Sequence, residues 1–152
     1  MIRRVAREMV LQSLFQIDFT QAAPEEALQV ALEEQKSGDF SEEVPEAEEN
    51  RKPADVDKAE GYAREVLQGV IANLAEIDKK IGQYAVNWDL KRMPGIDRNL
   101  LRIAVYEMLY AREKQPVNIA VNEAVELAKL YGSDNSARFI NGLLGKLMRD
   151  EA

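Results

Sequence analysis

The chain has 152 residues, of which 46% are hydrophobic and 31% charged, with a formal net charge of −7, as in an ordinary single globular domain. It contains no histidine and no cysteine, which excludes disulfides, zinc fingers, Ser-His-Asp triads and Cys-His pairs. Nucleotide-binding glycine motifs, a signal peptide and a long apolar run are also missing, so we expect a cytoplasmic protein with neither metal, cofactor nor membrane contact. A pair of carboxylates could still perform acid–base chemistry, but the abundant Asp and Glu are not organised for it.

The apolar residues repeat at helical spacing along most of the chain, which predicts an all-α fold of about seven short helices. No β-rich segment and no internal repeat is found. The predicted helices cover about residues 3–19, 24–36, 57–73, 74–88, 97–112, 118–131 and 134–148.

A segment after the second predicted helix accounts for the whole net charge. Residues 33–60 contain eleven acids and four bases, whereas the rest of the chain is neutral. Two prolines, one glycine and clustered like charges predict a flexible acidic insert over residues 37–56. A dock for a basic protein is the alternative interpretation of this insert. The net acidity of the chain therefore does not argue against nucleic-acid binding elsewhere.

Several residues are predicted to end helices or to let helices approach each other. Asp97 and Asn118 are expected to cap the helices that follow them. Gly132 suits the position after a helix, where a positive φ is favourable for glycine. Gly142 and Gly145 are expected to permit close helix contact, since each costs about 1 kcal/mol in helix propensity.

Arg3, Arg4 and Arg7 lie in the first turns of the first predicted helix. The start of a helix has partial positive charge and unpaired N–H groups, so it favours carboxylates and disfavours cations. A bound polyanion reverses the sign of these interactions, and guanidinium groups form paired hydrogen bonds with phosphates. This placement predicts a nucleic-acid contact. The alternative is a solvated terminus in which an arginine pairs with Glu8.

Aromatic residues are candidates for stacking on RNA bases. The candidates are Phe15, Phe19, Tyr131 and Phe139. Phe139 is the most informative because Asn135 and Arg138 lie beside it at a polar helix start, where an amide suits a base edge and a guanidinium suits a phosphate. An aromatic residue at helical spacing is more often part of the core, and the polar group is also typical of a helix cap. The local pattern leaves both interpretations open.

Ordered sequence blocks are found at both ends of the chain. They run from Arg3 to Phe15, from Asp97 to Leu109, from Pro116 to Gly132 and from Ser136 to Leu144. In the second and third blocks the sequences Asp-Arg-x-Leu-Leu-Arg-Ile-Ala and Asn-Glu-Ala-Val-Glu-Leu-Ala-Lys stand out. These blocks resemble the NusB family of bacterial transcription antitermination factors.

The resemblance implies a single domain over residues 1–152, built from two small packed helical bundles and without catalysis. It implies binding to the boxA element of ribosomal RNA leader transcripts, together with the ribosomal protein that doubles as NusE. It also implies that the chain joins an RNA polymerase antitermination complex, which suppresses premature termination.

The resemblance further implies a set of RNA-binding residues. They are Arg3, Arg4, Arg7, Phe15, Asn135, Arg138 and Phe139. The arginine cluster departs from some relatives at Val5, where a further basic residue occurs in them. One alternative function stays open, a helical protein–protein scaffold of the transcription or ribosome-assembly machinery without direct RNA readout. A monomer and a homodimer both stay open as well.

Overall fold

A computed structural model describes residues 2–37, 53–85 and 89–151. Within these ranges the chain forms seven α-helices, one 3-10 turn at Leu90–Arg92 and one π turn at Tyr106–Tyr110. The helices are α1 (Ile2–Thr20), α2 (Pro24–Ser37), α3 (Pro53–Ala72), α4 (Leu74–Tyr84), α5 (Gly95–Val105), α6 (Val117–Tyr131) and α7 (Ser136–Glu151). The predicted all-α fold of about seven helices is confirmed.

The chain divides into two compact units, residues 1–68 and 69–152, and the boundary falls inside α3. No helix in the described part of the chain combines the length and apolar character that a membrane span requires.

The first unit is built around the packing of α1 against α2. Met9, Val10 and Leu28 are among the side chains that its core buries completely. Ion pairs connect α2 to α3, with Arg64 lying 2.6 Å from Glu25. Because these side chains are partly exposed, their main effect is on geometry rather than on stability.

The second unit is organised around α5, which packs against α4, α6 and α7. Every residue from Asn99 to Val105 of this helix is buried. A helix enclosed on all sides must pair the polar groups that it buries. The helix also ends earlier than predicted, since the N–H of Ala111 donates to the carbonyl of Tyr106 at 2.9 Å and closes the π turn.

The predicted acidic insert is only partly within the described residues. Residues 38–52 lie outside them. At its two ends the prediction is wrong, because Ser37 is the last residue of α2 and residues 53–56 are the first turn of α3. Pro53 explains the earlier start, since a proline at the first helical position gives up an N–H that has no partner in the helix. The predicted helix end at Trp88 also lies outside the described residues.

The predicted N-caps Asp97 and Asn118 are wrong. Pro94 and Pro116 occupy the cap positions, and their carbonyl groups accept the first helical N–H bonds, from Arg98 and from Ala120. Neither cap has a side chain that accepts a hydrogen bond from the helix. The proline φ, near −53° at both sites, leads directly into a helix, so both helices begin before the polar residue.

The predicted place of Gly132 at the end of a helix is confirmed, but its predicted positive φ and the predicted roles of Gly142 and Gly145 are wrong. Gly132 ends α6 with φ −93° in extended backbone, and a Cβ there would lie 2.6 Å from Cβ of Ser136. A close approach, rather than a positive φ, therefore requires this glycine. Gly142 and Gly145 make no close helix contact, because a Cβ at either would meet nothing within 4 Å.

Gly69 of α3 is the glycine at which two elements approach most closely. A Cβ on Gly69 would overlap the ring of Tyr106, the buried first residue of the π turn. On the same helix, a Cβ on Gly61 would meet nothing within 4 Å.

Gly69→Ala is therefore expected to lower the free energy of unfolding by about 1–3 kcal/mol, as overpacking does. Gly61→Ala is the matched control and is expected to raise it by about 0.5–1 kcal/mol through helix propensity. Urea unfolding followed by circular dichroism measures both. Equal shifts of the two variants would show that the Tyr106 ring does not fill the space beside Gly69.

Candidate nucleic-acid interface

Two arginines of α1 lie over one aromatic ring of α3. The guanidinium carbon of Arg3 lies 4.6 Å from the ring centroid of Tyr62, and that of Arg7 lies 5.9 Å from it. Both distances are within the range of cation–π attraction. The first turn of α1 contains no acidic residue. Two cations, a helix start and the negative face of a ring are thus brought together.

The three arginines differ in accessibility. Arg3 is exposed and Arg4 is half-buried, whereas Arg7 is only 4% exposed. An arginine this buried offers little surface to a phosphate, but its charge adds to the local potential and its packing on Tyr62 fixes the neighbouring guanidinium. Arg3 and Arg4 are therefore the arginines that a bound strand would contact first.

Phe15 lies one helical turn from Phe19 on α1, and the two rings form a pair. Their centroids are 4.9 Å apart and the planes are tilted by 54°. Phe15 is 38% exposed and Phe19 is 74% exposed. The core interpretation of these two aromatics is thereby excluded, because the pair presents an apolar surface to solvent.

The second unit contains the other predicted group, at the start of α7. Asn135 is exposed just before the helix, and its carbonyl accepts a hydrogen bond from the N–H of Phe139 at 3.0 Å. Arg138 is exposed and Phe139 is half-buried. Both line a groove of about 270 Å³ that Tyr84 and Lys146 also line. The groove therefore combines two cations with two aromatic rings.

A buried polar contact fixes the start of α7. Asp97 of α5 and Ser136 of α7 are both buried, and their side chains are hydrogen-bonded. The Ser136 hydroxyl also accepts the N–H of Ser133 at 2.9 Å. Burial raises the pKa of Asp97, and the hydrogen bond from Ser136 opposes this rise. Asp97 thus positions the turn that presents Asn135 and Arg138.

This pKa shift predicts a pH dependence of stability. A carboxyl group with a raised pKa stabilises the fold fully below its ordinary pKa, and this contribution is lost as the pH rises through the raised value. The free energy of unfolding of the parent, minus that of Asp97→Asn, is expected to fall as the pH rises from about 3 to about 6. Ser136→Ala removes the opposing hydrogen bond and should steepen the fall. Urea titrations at several pH values measure the difference, and a flat difference would contradict the predicted burial penalty.

Three residues of these surfaces were not among the candidates found in the sequence. They are Tyr62, Tyr84 and Lys146. Phe19 was a stacking candidate but was not among the RNA-binding residues that the resemblance implied. The partners Tyr62 and Tyr84 lie far along the chain from the residues they accompany, so no local pattern reveals them. In the ranges that the structure describes, no cluster of three or more carboxylates is placed to hold a metal ion.

Comparison with known proteins assigns the family. The model of the NusB family matches residues 4–149. The chain belongs to the NusB family. The resemblance noted in the sequence is thereby confirmed, over nearly the whole chain.

Individual members show the same similarity. The transcription antitermination protein NusB of Heliobacterium modesticaldum is 45% identical over 150 residues, which is 99% of this chain and 64% of that protein. The structure of NusB from T. maritima is similar with a TM-score of 0.77 and 33% identity, covering 99% of this chain and 92% of that one. A structure of antitermination factors NusB and NusE in complex with dsRNA is 21% identical, with a TM-score of 0.76 over 98% of this chain and 97% of that one. This last likeness shows the fold alone.

Proposed function

We propose that the chain is a non-enzymatic, RNA-binding transcription antitermination factor of the cytoplasm. It binds the boxA element of ribosomal RNA leader transcripts together with the ribosomal protein NusE. The assembly joins RNA polymerase and suppresses premature termination. Membership of the NusB family supports this proposal, and the relative from Heliobacterium is named a transcription antitermination protein.

The observation that best supports RNA binding is the arrangement of Arg3 and Arg7 over Tyr62. Arg3 is exposed at a helix start whose first turn has no acidic residue, and the Tyr62 ring holds its guanidinium where a phosphate strand can reach it. Packing on the ring also orders the arginine side chains before RNA binds, so less rotamer entropy is lost on binding.

The groove beside Phe139 supports base recognition. A half-buried ring offers one face for stacking, and Arg138 and Lys146 beside it offer charge to the phosphates. Asn135 offers an amide to a base edge. We assign Arg3, Arg4, Arg138 and Lys146 to the phosphates, and Phe139 to a base.

The assignment of NusE as partner is supported by the structure in which NusB and NusE are bound to dsRNA. In this chain the exposed pair Phe15 and Phe19 provides an apolar surface suited to a protein partner. The same pair favours the second candidate function, a protein–protein scaffold without direct RNA readout.

A titration that includes RNA and partner together tests the proposal. Labelled boxA-like RNA and a scrambled RNA of equal length are titrated with the chain, with and without NusE, at fixed salt. We expect preferential binding of the boxA-like RNA, strengthened by NusE. Equal binding of the two RNAs under both conditions would favour the scaffold instead. Light scattering of the same samples decides between a monomer and a homodimer.

A further inference from the structure

A second groove lies between α6 and α7, with a volume of about 570 Å³. Three amides and two cations line it, together with small or apolar residues. The polar lining residues are Asn118, Asn122, Asn141, Lys146 and Arg149. None of the described residues that line it is acidic. All five polar side chains are exposed to solvent.

The chemistry of this lining matches a nucleic-acid strand better than a protein. Asparagine side chains both donate and accept hydrogen bonds, which suits the edges of unpaired bases. Lys146 and Arg149 supply positive charge without a lining carboxylate to neutralise it. A neutral or basic protein surface would not supply negative charges to pair with Lys146 and Arg149.

Two glycines in the middle of α7 are among the residues that line the groove. Gly142 and Gly145 cost helix propensity, and the fold gives them no close contact, since a Cβ at either meets nothing within 4 Å. Helix packing therefore does not require them. A ligand that approaches the backbone of α7 would use the space they leave.

The groove adjoins the one beside Phe139, because Gly142 and Lys146 line both. A strand on Phe139 therefore needs to pass only these two residues to reach the α6–α7 groove. Across this path the cations Arg138, Lys146 and Arg149 follow one another along α7.

We propose that the α6–α7 groove is a second RNA subsite, which binds single-stranded nucleotides flanking those held at Phe139. The inference rests on the proposed RNA-binding function and extends its contact region. The asparagine amides contact base edges, Lys146 and Arg149 contact phosphates, and Gly142 and Gly145 admit the strand close to α7.

The test compares a boxA-like core RNA with the same RNA lengthened by about four unpaired nucleotides, in one series at the 5′ end and in another at the 3′ end. In the parent, one of the two tails is expected to tighten binding by about tenfold. The double variant Asn122→Ala/Arg149→Ala should lose this gain and still bind the core RNA as the parent does. Gly145→Leu, which fills the groove where the fold has space, should also lose the gain.

The double variant Gln68→Ala/Arg112→Ala is the matched control, because it removes one exposed amide and one exposed cation that do not line the groove. It should keep the gain from the tail. The proposal is overturned if neither tail tightens binding to the parent, or if both groove variants keep the gain.

Failure of the proposed function gives a different result. If the parent does not prefer the core RNA to a scrambled one, that function is contradicted. The free tail oligonucleotide then decides on the groove. Binding that Asn122→Ala/Arg149→Ala abolishes supports the subsite, and absence of binding overturns it.

Discussion

Replacing Arg3 and Arg4 by alanine is expected to weaken the binding of boxA-like RNA by about tenfold or more at physiological salt. It is also expected to lower the slope of log Kd against log salt concentration by about 0.7 for each phosphate that is no longer bound. Arg3 is exposed and Arg4 is half-buried at a helix start whose first turn has no acidic residue, so both residues keep surface that a strand can contact. Fluorescence polarisation over a salt series measures Kd and slope together.

Arg7→Ala is expected to behave differently from the other two. Because Arg7 is 4% exposed, its replacement should change the salt slope little while lowering the free energy of unfolding, since the packing on Tyr62 is removed. Comparing this variant with Arg3→Ala/Arg4→Ala therefore distinguishes arginines that contact phosphate from an arginine that only stabilises the fold around them.

The control for these variants is Arg112→Ala/Lys114→Ala, which removes two exposed cations from the turn before α6. It should leave the salt slope at the parent value. An unchanged slope in Arg3→Ala/Arg4→Ala, or an equal decrease of the slope in the control, would show that the start of α1 does not contact phosphates.

The difference between Arg4 and Arg7 shows where prediction from the sequence reaches its limit. The helical period of α1 and the clash between arginines and helix dipole are local, so both were predictable. Arg7 is buried beside Tyr62, which is more than fifty positions away and is brought near only by the fold. The same holds for Tyr84 beside Phe139.

Helix ends were predicted less well than helices, for a physical reason. Asp97 and Asn118 have the side chains of good caps, but the prolines three and two positions earlier already lead the backbone into the helix. The Asp97 side chain instead forms a buried hydrogen bond with Ser136. The local sequence around Asp97 does not predict this contact, because Ser136 is far along the chain. An aspartate suits both a helix cap and a buried hydrogen bond, and the residues that the fold brings near it decide between the two.

The largest expected effect on stability concerns the ion pair inside the second unit. Arg102 of α5 bonds both carboxylate oxygens of Asp78 of α4, at 2.8 and 2.9 Å, and its third nitrogen donates to Asn99 at 2.9 Å. Arg102 is buried, so Asp78→Ala removes from a buried charge the carboxylate that bonds two of its nitrogens. We expect the free energy of unfolding to fall by about 3 kcal/mol, the lower end for a broken buried pair, because Asp78 keeps some exposure to water. Urea unfolding measures the decrease.

Two further variants make this prediction sharp. Asp57→Ala breaks the exposed pair with Lys36 and is expected to change stability little. Asp78→Leu/Arg102→Met replaces both charges by apolar groups and should recover most of the stability, since the cost lies in a buried charge that has lost a carboxylate rather than in the absence of the ion pair itself. A double variant as unstable as Asp78→Ala would contradict that account.

Arg102 and Arg3 both lie in sequence blocks typical of the NusB family, yet Arg102 is held by a carboxylate inside the fold, whereas Arg3 lies exposed on an aromatic ring. Burial and partner, rather than residue type or motif, therefore decide which arginines remain for RNA.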